Sequence, residues 1–72
     1  MSQPSFRDCA WFSNGIRATL KARFLSFKSA EPIFIVYDRD TRHYGIGVGD
    51  GDPPWIDRGN FDFIEVIKPT IN

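Results

Sequence analysis

The chain has 72 residues, which makes it one domain close to the lower size limit for a fold without covalent staples. Nine Lys and Arg balance nine Asp and Glu, and a neutral sum argues against a general electrostatic nucleic-acid binder. Cys9 and His43 stand alone in their types, which excludes an intramolecular disulfide, leaves nothing to argue for secretion and argues against a metal framework.

Residues 1–8 are polar, contain Pro4, and read as a loose segment ahead of a single small β domain at 9–72. Cys9 to Phe12 is a short apolar strand candidate, closed by Ser13, Asn14 and Gly15. Asn-Gly is a strong hairpin signal, because both central positions of a type I′ turn need positive φ. Next, Ile16, Ala18, Leu20, Ala22 and Phe24 alternate with Arg17, Thr19, Lys21 and Arg23, which is strand periodicity. Ile16, Leu20, Phe24 and Phe27 also fall at helical spacing, and Ala, Leu, Lys and Arg are good helix formers. The preceding turn signal and the aromatic content weigh toward a strand over 16–27. Leu25 and Phe27 then fall on the formerly polar side, which predicts a bulge or bend at 23–25.

Ser29 to Pro32 reads as a turn. Ile33 to Tyr37 is an unbroken apolar run, Asp38 to Arg42 is polar, and His43 to Val48 returns as a second strand. This antiparallel hairpin is the firmest element in the chain. Gly45, Gly47 and Gly49 strip one face of its second strand of side chains, which suits tight curvature or close approach of another group. Residues 49–59 form a turn-rich loop with Asp50, Asp52, Pro53, Pro54 and Trp55. Phe61 to Ile67 is the last strand, ended by Pro69.

About five short antiparallel strands with polar turns predict an all-β fold that resembles a small SH3-like barrel in architecture. The acidic-aromatic pattern of a proline-binding SH3 domain is missing. The alternative is α+β, with a helix at about 14–28 on a three-stranded antiparallel sheet. The expected core is Leu20, Phe24, Ile33, Ile35, Ile46, Val48, Ile64 and Val66, so truncating Phe24 to Ala is expected to cost about 3–5 kcal/mol.

Chemistry-bearing motifs are sparse. Gly45 to Asp52 is rich in glycine but lacks the Gly-Lys-Ser/Thr ending that brings a lysine and a hydroxyl to phosphate and magnesium. Asp50, Asp52 and Asp57 lack the spacing and terminal glutamate of a calcium loop and read as a solvated acidic loop. Cys9 and His43 are weak grounds for a nucleophile and base. The expectation is therefore a non-enzyme with no cofactor and no metal.

Charge is unevenly distributed. Arg7, Arg17, Lys21, Arg23 and Lys28 face only Asp8 in the first part of the chain, whereas the acids concentrate from Glu31 to Glu65. Such asymmetry points to a polarised partner surface. Arg17, Thr19, Lys21 and Arg23 would share one face of a strand and offer a basic stripe to phosphates or an acidic protein. Trp55 reads either as a lid on the fold or, rimmed by Asp50, Asp52, Asp57 and Arg58, as an aromatic anchor that Tyr44 and Tyr37 extend. Partner-binding candidates are thus Arg17, Lys21, Arg23, Tyr44, Trp55 and Arg58. No run of apolar residues is long enough to span a membrane, and no signal peptide is visible, so a complete cytoplasmic chain is expected. The leading functional expectation is a non-catalytic protein–protein interaction module, an adaptor or inhibitor of the kind a phage or mobile element directs at a host protein. The alternative is a nucleic-acid-binding barrel using the basic strand 16–28. Homodimerisation is a further route to stability for so small a chain.

Overall fold

The computed structural model describes residues 10–69. In chain order they form β1 (Ala10–Phe12), α1 (Gly15–Ser29), β2 (Ile33–Asp38), β3 (His43–Val48), a 3-10 turn (Ile56–Arg58) and β4 (Phe61–Ile67). The strands make one antiparallel sheet in the order β1-β3-β2-β4, with β1 and β4 as its two edges. The fold is α+β with an open sheet, not an all-β barrel. The expected strand over 16–27 is a helix, and β1 adds a fourth strand to the three-stranded alternative. The loose segment at 1–8 and the residue Cys9 lie outside the described residues. No helix among the described residues is long and apolar enough to cross a membrane.

The helix is decided at its start. Asn14 has extended backbone angles, and its side-chain oxygen accepts from the N–H groups of Ile16 at 2.8 Å and Arg17 at 3.3 Å. Asn-Gly therefore serves as an N-cap and first residue rather than as a hairpin turn. Good helix formers carry the helix on to Ser29, where Ala30 ends it in the left-handed region at φ 56°.

What seats α1 on the sheet is a row of small residues. Ala18, Ala22 and Ser26 recur every four positions and are buried, while Leu25 is half-buried beside them. They meet Ile33, Ile35 and Ile46, which point from β2 and β3 toward the helix. Without large side chains between them, helix and sheet approach closely, and the sheet supplies the bulk. The Ser26 hydroxyl donates to the Ile67 carbonyl at 3.2 Å, satisfying a buried polar group and tying α1 to β4.

The opposite face of the sheet is covered too. Phe34 and Val36 project there, alternating with Ile33 and Ile35, and all four are buried. Burial on both faces is the physical reason β2 is an unbroken apolar run rather than an alternating one. The cover comes from Trp11 on β1, Trp55 and buried Pro53 on the long loop, and Phe61 on β4. Trp55 lies 5.0 Å from Phe61, 6.1 Å from Phe34 and 6.5 Å from Trp11 between ring centroids. Gly45 faces this layer opposite Trp11, and a Cβ there would come within 2.6 Å of the indole ring. Close approach of a ring, not barrel curvature, explains the glycine at that position.

The β2–β3 hairpin forms where the sequence places it. Arg42, at φ 60°, donates its N–H to the Asp38 carbonyl at 2.7 Å to close the turn. The irregularity expected at 23–25 lies elsewhere: Glu65 pairs with Ile35 and Phe63 with Val36, leaving Ile64 as the extra residue of a bulge in β4. The expected core is corrected accordingly. Ile33, Ile35 and Ile46 are buried and Val48 and Val66 are half-buried, but Leu20, Phe24 and Ile64 are exposed. Leu20 and Phe24 lie on the side of the helix away from the sheet, and Ile64 sits at an edge-strand bulge.

Candidate functional site

The large apolar residues of α1 face solvent. Ile16 is 72% exposed, Leu20 59%, Phe24 52% and Phe27 79%. At 100° per residue these four fall in one stripe, on the side opposite Ala18, Ala22 and Ser26. A helix that turns its alanines inward and its phenylalanines outward has buried the cheaper face, since an exposed Leu or Phe forgoes the roughly 1.5–3 kcal/mol that full burial contributes. From Ile16 to Phe27 the stripe runs about 17 Å along the axis.

Cations border the stripe on both sides. Arg17, Lys21 and Lys28 lie along one border and Arg23 along the other, all exposed, and α1 contains no acidic residue. The ammonium groups of Lys21 and Lys28 stand over the Phe24 ring, 5.5 Å and 5.6 Å from its centroid. Their charge therefore sits at the apolar stripe rather than away from it. Two open grooves flank the ridge. Phe12, Arg17, Leu20, Lys21 and Phe24 line one, and Ile16, Thr19, Leu20, Arg23 and Tyr44 are among those lining the other. Leu20 borders both.

The helix splits the anticipated basic stripe. Arg17 and Lys21, four residues apart, share one border, while Thr19 and Arg23 share the other, with Leu20 between. Tyr44 is half-buried on the helix side of the sheet, 4.8 Å from Tyr37 between centroids, and its ring lies under Gly15. It borders the same surface as Arg23. Trp55 and Arg58 belong elsewhere: Trp55 is half-buried in the ring layer on the other face of the sheet, and Arg58 is exposed in the 3-10 turn beside it. The structure thus brings Arg17, Lys21, Arg23 and Tyr44 to one surface and separates them from Trp55 and Arg58.

Sequence reasoning missed Ile16, Leu20, Phe24, Phe27 and Lys28 as members of this surface. The helical spacing of the four apolar residues is visible in the sequence, but of these Leu20 and Phe24 read there as core. The corrective signal is the smaller set: Ala18, Ala22 and Ser26 repeat at the same spacing and mark the inward face.

The ion pairs Arg39–Asp62 at 3.3 Å and Lys68–Asp50 at 3.7 Å are exposed, and Lys68 lies beside Arg23 and Phe27 at the end of the α1 surface. Among the described residues, no group of three or more His, Cys, Asp or Glu is placed to hold a metal ion. No protein-family model matches the chain, and no curated protein or solved structure is significantly similar to it.

Proposed function

We propose that this protein is a non-catalytic interaction module that docks on another protein through the outward face of α1. The observation that carries this reading is the stripe Ile16, Leu20, Phe24 and Phe27, exposed along the whole helix and bordered by cations. Contiguous exposed apolar residues rimmed by polar groups are characteristic of protein-binding surfaces. The stripe offers contact area and positive charge, so its action is occupancy: an adaptor or inhibitor covers part of a partner rather than transforming it. A phosphate backbone is a poorer fit, because the centre of the surface, where phosphates would need contacts, is hydrocarbon.

The test is capture by immobilised full-length protein, with quantitative mass spectrometry comparing wild type with a Leu20→Glu, Phe24→Glu double variant. Both side chains are exposed, so the variant is expected to keep its fold and lose the captured partner. The reading is overturned if the double variant captures the same proteins as wild type. It is equally overturned if the chain instead retains labelled DNA or RNA with an affinity that falls steeply with salt and survives the double substitution.

A further inference from the structure

The outward side of α1 is a low ridge between two shallow, open depressions. Leu20 is the crest, since it borders both grooves. One groove is lined by positions 17, 20, 21 and 24 of the helix, and the other includes positions 16, 19, 20 and 23. Each set follows the i, i+3, i+4, i+7 spacing, so each groove runs along the helix axis. Arg17 and Lys21 supply positive charge to one groove and Arg23 to the other. Any occupant touching Leu20 and Phe24 therefore meets cations on both of its own flanks.

We infer, resting on the docking reading above, that the occupant is an acidic amphipathic helix of a partner protein: an apolar stripe bordered on both sides by Asp or Glu. The shape argument is that rows of side chains on one helix interlock with the grooves beside the rows of another. A partner helix laid along α1 has a row for each groove and straddles Leu20. The length argument is that about 17 Å of stripe matches roughly three turns of helix. The charge argument is that Arg17, Lys21, Arg23 and Lys28 are opposed by no acid on α1, so carboxylates on both borders of the partner complete the surface.

The same features disfavour the other occupants. A second copy docking helix to helix would set four cations against four. An anionic bilayer answers the charge of α1, but the chain's net charge is zero, so the molecule as a whole gains little attraction to an extended charged surface. The partner helix also explains why the phenylalanines of α1 are kept outward: they are the anchors of a second, intermolecular layer, with α1 sandwiched between its own sheet and the bound helix.

The experiment uses the full chain and a fluorescein-labelled amphipathic peptide with a leucine stripe bordered by glutamates. Its controls are the same peptide with lysines in place of the glutamates, and with serines in place of the leucines. Fluorescence anisotropy is expected to show the glutamate peptide binding at least about tenfold more tightly than either control, with the advantage over the lysine peptide shrinking as salt rises. Exchanging Lys21→Glu with Arg23→Glu leaves two cations against two anions on this face and is expected to abolish the preference for the glutamate peptide over the lysine peptide. Amide chemical shifts are expected to move on α1 and not around Trp55.

Equal binding of the glutamate and lysine peptides, or an undiminished preference after the charge exchange, overturns the inference. So does binding to mixed phosphatidylcholine–phosphatidylserine vesicles without binding to the glutamate peptide, or a homodimer of defined stoichiometry, as distinct from non-specific association at high concentration, that Leu20→Glu abolishes. These failures are distinguishable from failure of the docking reading. If only the partner chemistry is wrong, Leu20→Glu with Phe24→Glu still abolishes protein capture; if the surface is wrong, that variant changes nothing.

Discussion

At the scale of single residues, the most consequential position is Gly45. It pairs with Trp11 across the β1–β3 ladder, and the indole lies where a side chain would stand, 2.6 Å from a Cβ built there. Gly45→Ala must displace the indole from a layer in which it also meets Trp55 and Phe61. The expected cost is about 1–3 kcal/mol, the usual range for overpacking. Urea denaturation should show the lowered midpoint, and a shift in native tryptophan emission should locate the change in the ring layer. An unchanged midpoint and spectrum would mean that the indole does not hold this position in solution.

Helix α1 shows how an element is assembled from a preference that runs against intuition. Its inward row is Ala18, Ala22 and Ser26, and its outward row is Ile16, Leu20, Phe24 and Phe27. Substitutions in the two rows should therefore behave in the reverse of what side-chain size implies. Ala22→Leu forces a larger side chain against Ile33, Ile35 and Ile46 and is expected to destabilise by about 1–3 kcal/mol or more. Phe24→Ala removes an exposed ring that lies against two lysines and is expected to cost under about 1 kcal/mol, not the several expected of a core phenylalanine. Thermal melts of the two variants side by side are the check. The opposite order of stability would return the phenylalanine to the core. Helical spacing of the phenylalanines was legible in the sequence. Which face they occupy was not, because one amphipathic pattern fits either assignment until the neighbouring layer is known.

As a whole the molecule is a thin slab, 38 × 34 × 15 Å, with a four-stranded sheet between a helix on one side and a layer of rings on the other. The positive surface belongs to the helix side. With a net charge of zero, no long-range repulsion keeps copies apart, so an exposed apolar stripe is also a liability for self-association. Replacing Phe27, the most exposed of the four, by Lys is expected to raise solubility and lower light scattering at high concentration, with little change in melting temperature. Undiminished scattering would place the sticky surface elsewhere, with the exposed Phe63 and Ile64 of β4 as the next candidates.

The β2–β3 hairpin and the last strand were legible because each is specified locally: an apolar run, a polar turn and a second run admit few other structures. The neutral charge and the concentration of basic residues in the first part of the chain were equally plain. Three other features were settled only by tertiary structure. Asn14-Gly15 fits a hairpin turn or a helix start, and the Asn14 side chain caps a helix because α1 has a sheet to pack on. Alternation from Ile16 to Phe24 fits a strand until Ala18 and Ala22 find Ile33, Ile35 and Ile46 beneath them and Ser26 finds the Ile67 carbonyl. The glycine at 45 fits barrel curvature until Trp11 arrives from a strand distant in sequence. In each case the sequence carries two locally adequate solutions, and the choice is made by burial against residues far along the chain. The candidate site follows from that choice, because the face α1 spends on the sheet determines which residues remain for a partner.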